Sequence, residues 1–167
     1  MSDKKPKNTT KPFHKLQKVV AISGCRDYNA TTNKGLLVES LAKIYISSDS
    51  ILFGGALGVD TDALVVCGLM NEDAEHKKEL VAVCPDTLAQ QPYKAQEAIK
   101  KYATSVIELK NKIIPQNGYE SFKTRNRYLV DNSKMLVAFW DKESTGTKHA
   151  IDYAKEKNKP CLVVDLI

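Results

Sequence analysis

From Lys18 onward the chain alternates short, unbroken apolar runs with longer stretches in which apolar residues return every three or four positions. The runs are Val19-Val20-Ala21-Ile22, Ile51-Leu52-Phe53, Leu80-Val81-Ala82-Val83, Ser105 to Leu109, Met135 to Trp140 and Cys161 to Val164. A strand wetted on one face alternates apolar and polar residues, whereas an unbroken run is what a strand covered on both faces requires. The stretches between them predict helices near 34–47, 60–72, 91–103, 119–132 and 147–158. Six strands alternating with five helices predict an α/β fold, a Rossmann-like three-layer α/β/α sandwich around a mainly parallel sheet.

Residues 1–18 break this pattern. They are rich in Lys, Pro, Asn and Thr and bury too little apolar surface to offset the entropy of ordering, so they read as a flexible arm ahead of one domain over 19–167. The 167-residue chain carries a formal charge of +5, which first suggests a nucleic-acid partner. The location of the charge changes that reading. Lys4, Lys5, Lys7, Lys11, Lys15 and Lys18 against Asp3 give the arm the whole excess, leaving 19 basic and 19 acidic groups in the body. A neutral body with 7% aromatic residues is a poor match for a basic groove lined with stacking rings, so only weak nucleic-acid contact through the arm is expected. No run approaches the roughly 20 apolar residues that span a bilayer, and the N-terminus lacks the apolar block of a signal peptide. The expectation is a cytoplasmic protein without a membrane partner.

Cys25, Cys67, Cys84 and Cys161 form no CxxC pair, and three of them sit within apolar runs as small hydrophobes would. His14, His76 and His149 are scattered. No metal and no cofactor is expected.

In a parallel sheet, ligands lie where strands hand over to helices, because tight glycine turns and helix N-termini present unpaired backbone N–H groups there. The first junction reads Ser23-Gly24-Cys25-Arg26-Asp27-Tyr28: small residues for a turn, then an arginine that either forks onto an anion or makes a surface pair with Asp27. The second, Gly54-Gly55-Ala56-Leu57-Gly58-Val59-Asp60, places three glycines within five residues ahead of a helix, a candidate anion site. Asp60 suits a phosphate poorly and reads as a helix cap or as an acceptor for a ribose hydroxyl or base amine. On the fourth helix Arg125 and Asn126 share the apolar stripe of Phe122, Leu129 and Val130; an arginine turned toward the core either pairs structurally or serves a site. Ser144-Thr145-Gly146-Thr147 opens the last helix as an ordinary N-cap or as a second anion cradle, with Lys148 adding charge.

In this order the motifs Ser-Gly-Cys-Arg-Asp, Gly-Gly-Ala-x-Gly-x-Asp, Arg-Asn and Ser-Thr-Gly-Thr resemble the SLOG superfamily, which contains the DprA/Smf and LOG proteins, over about residues 18–167. The small YspA/YpsA-related branch is the most similar. The resemblance implies binding of a nucleotide or nucleotide-derived ligand, as a sensor or sequestering module, and assembly as a homodimer. It implies ligand-binding roles for Ser23, Gly24, Cys25, Arg26, Gly54, Gly55, Ala56, Gly58, Asp60, Arg125, Asn126, Ser144, Thr145, Gly146 and Thr147. Two departures matter. Cys25 stands where that branch usually has serine, and no His or Asp is tied to it by sequence as a catalytic partner. LOG enzymes place a catalytic glutamate shortly after their Gly-Thr, where this chain has His149 and Ala150, and the preceding Pro-Gly-Gly is absent. Cleaving an N-glycosidic bond needs a carboxylate there, so binding ranks above nucleotide N-glycosidase or phosphoribohydrolase activity, and DprA-like single-stranded DNA binding is the third alternative.

Overall fold

The structure, a computed structural model, describes residues 17–116 and 118–167. The arm expected over 1–18 lies, up to residue 16, outside the described residues. The strands are β1 (Val19–Gly24), β2 (Ser50–Phe53), β3 (Glu79–Cys84), β4 (Ser105–Glu108), β5 (Met135–Trp140) and β6 (Cys161–Asp165). The helices are α1 (Ala30–Ser47), α2 (Val59–Asp73), α3 (Tyr93–Tyr102), α4 (Gly118–Asp131) and α5 (Thr145–Glu156). Every strand pairing is parallel, and the sheet order is β4-β3-β2-β1-β5-β6.

Two apolar layers account for the unbroken runs. Val20 and Ile22 of β1 join Ile51, Phe53, Leu80, Val137 and Phe139 beneath Leu37 and Leu41 of α1, Leu64 and Cys67 of α2 and Ile99 of α3. Their neighbours Ala21, Leu52, Val81, Leu136 and Ala138 face the other way, onto Leu129 and Val130 of α4 and Ala150, Ile151 and Ala154 of α5. The four central strands β1, β2, β3 and β5 thus bury both of their faces, the edge strands β4 and β6 stay partly exposed, α1 to α3 cover one side of the sheet, and α4 and α5 cover the other.

Two helices start two or more residues earlier than their periodicity predicts, and in both cases a polar cap sets the boundary. Asn29 accepts the Thr32 N–H at 3.0 Å, so α1 begins at Ala30 through Thr31 and Thr32, which carry no apolar signal. Ser144 caps α5, which makes Thr145-Gly146-Thr147 the first turn of the helix itself.

The order of connections positions the site. The chain steps outward from β1 through β2 and β3 to β4, then returns along the opposite face to β5, which pairs with β1. At such a reversal the two flanking connections diverge to opposite faces, and a crevice opens beyond the carboxyl ends of the two strands. Here those ends are Gly24 and Trp140, followed by Cys25 and Asp141.

Candidate functional site

A cleft of about 700 Å³ lies at this reversal, lined by Ser23 to Asp27 after β1, Ala56 and Asp60 around the start of α2, one side of α4, and Asp141 with Glu143 to Thr147 around the start of α5. Its floor is tied together by Cys25. The thiol, 1% exposed, donates to the Phe139 carbonyl at 3.4 Å and accepts the Asp141 N–H at 3.3 Å, bridging the ends of β1 and β5. Burial pushes its pKa above the ordinary thiol value, which favours the neutral thiol that these two hydrogen bonds use.

The glycine-rich β2–α2 turn serves packing. A Cβ on Gly58 (φ +78°) would collide with the carbonyl oxygens of Cys25 and Arg26, and Val59 N–H donates to the Cys25 carbonyl at 3.0 Å. A Cβ on Gly24 would collide with Val59 in turn. The two turns interlock backbone to backbone, and this close approach is what glycine permits here. Gly55, at φ +70°, has its carbonyl capped by the Gln91 side-chain amide at 2.5 Å. Gly54, Gly55 and Gly58 therefore stand behind the cleft and do not line it.

Asp60 does not cap α2. Its Oδ2 reaches back to the Ala56 N–H at 3.4 Å, while Oδ1, with the residue 4% exposed, is buried without a hydrogen-bond partner among the described residues. Burial raises the carboxyl to about 6; the Arg125 guanidinium, the Ala56 N–H and the Arg26 guanidinium oppose the rise without cancelling it. Arg125 is itself 6% exposed; it donates through Nη1 to the Gly54 carbonyl and through Nε to Asn126 Oδ1 at 3.0 Å. Asn126 passes the connection on, its amide donating to the Gly146 carbonyl at 3.2 Å. Arg125 and Asn126 thus link the β2–α2 turn to the start of α5 across the cleft.

At α5 the cap is made locally. Ser144 Oγ lies 3.4 Å from Thr147 N and 3.2 Å from Thr147 Oγ1, and Asp141 Oδ1 accepts the N–H groups of Glu143 and Ser144. Burial works against the Asp141 charge, but the Ser144 and Glu143 amides, with the Cys25 thiol and the Asp141 N–H, together hold its carboxyl below the ordinary value. Thr145 and Gly146 belong to the first turn, whose N–H groups have no intrahelical acceptor, and both line the cleft. Lys148, expected to add charge, instead pairs with Asp152 at 2.6 Å and does not line the cleft.

Residues outside the expected ligand-binding set complete the wall. Tyr119 and Phe122, one helical turn apart on α4, present rings to the cleft, and the exposed Arg26 guanidinium lies 4.5 Å from the Phe122 ring centroid. Asp27, Asp141 and Glu143 add carboxylates. The spacing of Tyr119, Phe122 and Asn126 on one helix face was the available signal for the rings. No group of three or more His, Cys, Asp or Glu side chains among the described residues is placed to hold a metal ion. No described helix is long and apolar enough to cross a membrane.

Comparison with known proteins adds three findings. The profile of the family described as DNA recombination-mediator protein A matches residues 10–166. An uncharacterised SPbeta prophage-derived protein of Bacillus subtilis, YoqJ, is 24% identical over 62% of this chain and 67% of its own length. Among solved structures, the single-stranded-DNA-binding DNA processing protein A of Helicobacter pylori superposes at TM-score 0.66 and 23% identity. That match covers 88% of this chain and 65% of the Helicobacter protein, so the chain spans less than two thirds of that relative. The molybdenum cofactor binding protein of Rippkaea orientalis superposes at 0.64 and 16% identity, over 89% of this chain and 77% of its own. At these identities the likeness is one of fold, the Rossmann-like fold of the SLOG group.

Proposed function

The chain belongs to the DNA recombination-mediator protein A family, and on that footing we propose that its cleft binds a nucleotide-type ligand and holds it without cleaving it. The observation that carries this reading is the two-ended character of the cleft. One end offers the first-turn N–H groups of α5 to an anion, and the other offers the unpartnered Asp60 Oδ1 to a hydrogen-bond donor. Tyr119 and Phe122 supply ring surface along α4, and Arg26 brings a mobile positive charge to the mouth. A phosphate, a ribose or base donor and a flat base are the three parts such a lining accommodates.

Holding without cleavage is supported by what stands at the place of the LOG glutamate. Ala150 is buried in the core and His149 lies outside the lining, so neither supplies a carboxylate to a glycosidic bond. Further, Asp141 is already committed to two backbone amides. Cytoplasmic location and homodimerisation belong to the same proposal.

The test is thermal: purified protein is melted in the presence of a panel of nucleosides, mono-, di- and triphosphates and dinucleotides. A ligand at about 100 times its Kd adds roughly 2.7 kcal/mol and raises Tm visibly. No rise with any member overturns the reading, and release of free base from a bound nucleotide replaces it with the hydrolase.

The family and the Helicobacter relative favour a second reading, single-stranded DNA binding. Four of the six charged groups lining the cleft are carboxylates, which assigns any backbone contact to the basic residues 1–18. Deleting them abolishes salt-sensitive DNA affinity if that assignment holds.

A further inference from the structure

Resting on the nucleotide reading above, the balance of charge within the cleft narrows the ligand. The lining carries Arg26 and Arg125 against Asp27, Asp60, Asp141 and Glu143. Arg125 is no free cation: it is buried, its Nη1 and Nε serve Gly54 and Asn126, and the Asp60 carboxyl is the opposite charge acting on it. That leaves Arg26, exposed and stacked on Phe122, as the other positive side chain of the described lining. The α5 terminus adds about half a unit of positive charge. One phosphate group is matched by those two contributions. A second or third phosphate would extend among Asp141, Glu143 and Asp27, where the described lining offers no further uncommitted cation and like charges repel.

At the other end, Asp60 Oδ1 is a buried acceptor with no donor of its own, a group that is costly to leave unsatisfied and that gains most from a ligand N–H or O–H. We infer that the cleft selects a nucleoside bearing a single phosphate, with a base or ribose donor delivered to Asp60 Oδ1, and discriminates against polyphosphates and against continuous strands.

This pairing couples binding to proton release. In the free protein the Asp60 carboxyl sits at about 6, with Arg125 of α4 and Arg26 of the β1–α1 turn as the charged groups acting on it and the Ala56 N–H beside it. A donor on Oδ1 favours the ionised form, so binding near pH 6 expels protons and affinity falls as pH drops below that value.

Isothermal titration calorimetry with a nucleoside, its mono-, di- and triphosphate and a short oligodeoxynucleotide of the same base tests the inference. The expected order places the monophosphate at least tenfold tighter than the di- and triphosphate and tighter than the oligonucleotide. At pH 6, runs in two buffers of different ionisation enthalpy report proton release. The phosphate itself titrates near 6 in wild type and variant alike, so the excess release lost in Asp60→Asn belongs to Asp60. That variant also loses at least tenfold in affinity. A triphosphate or oligonucleotide that binds as tightly as the monophosphate overturns the inference and leaves the nucleotide reading standing, as does an Asp60→Asn protein of unchanged affinity and proton release. Absence of binding by every compound removes both.

Discussion

Two helices begin at the cleft, α2 and α5, and their first turns have opposite fates. At α2 the turn is closed from within: Val59 N–H is spent on the Cys25 carbonyl, Gly58 is pressed against the β1–α1 turn, and a buried carboxylate, Asp60, occupies the first turn. At α5 the cap is a serine, Gly146 has no heavy atom within 4 Å of where a Cβ would sit, and Thr145 and Gly146 line the cleft. A helix N-terminus is thus an anion site only where the protein has not already filled it with its own acceptor. The glycine-dense turn is the structural one, and the turn with a single glycine is the open one.

The contrast breaks most visibly at Gly58. An alanine there meets positive-φ strain of about 1–2 kcal/mol and overpacking of about 1–3 kcal/mol. Gly58→Ala is expected to lower Tm by roughly 10 °C or to prevent folding, since each kcal/mol moves a domain of this size by about 2–4 °C. A Tm within a degree or two of wild type would show that the turns do not interlock.

Asp60 gives the next largest effect, and its sign is unusual. A carboxyl at about 6 in the folded chain, above its ordinary 3.8, binds its proton more tightly folded than unfolded. Its contribution is therefore fully present below 3.8, fades as pH rises through 6, and leaves the ionised form costing about 3 kcal/mol at pH 7. Asp60→Asn removes that burden, so the variant is expected to be more stable than wild type at pH 7 while the two converge toward pH 4. Denaturant unfolding of both proteins across this range measures the difference, and a variant less stable at pH 7 would reverse the assignment. Greater stability with weaker ligand binding is the signature of a group kept for recognition.

The smallest effect is at Gly146. Gly146→Ala meets no neighbour and is expected to leave stability within about 0.5 kcal/mol of wild type. Ligand affinity should nevertheless fall, because a methyl group then stands on the turn proposed to face the phosphate. Equal affinity in calorimetry would mean that the anion does not sit at α5.

This division between turns marks the limit of what the chain alone reveals. Runs such as Met135 to Trp140 name their strand to the residue, because a doubly covered strand leaves no polar position to blur its ends. The Arg125-Asn126 pair is legible for a related reason: an arginine on an apolar stripe must be answered by something. Gly54, Gly55 and Gly58 are ambiguous in the sequence because a missing Cβ is the same signal whether a ligand or a neighbouring backbone makes the approach, and only the fold brings Cys25 and Arg26 against Gly58. Lys148 misleads differently, since Asp152 four residues on is the nearer partner for a lysine on an exposed helix face.

The interlocked turns also have a kinetic meaning. With Gly24 against Val59, Gly58 against two carbonyls, and Gly54 held by Arg125, the floor of the cleft has no slack to open on its own; its amides should exchange with solvent only when the whole sheet unfolds. Adjustment to a ligand is left to the opposite side, where Arg26 need only swing off the Phe122 ring. Entry of the proposed ligand would then wait on a side-chain rotation lasting nanoseconds and not on a loop closing over microseconds.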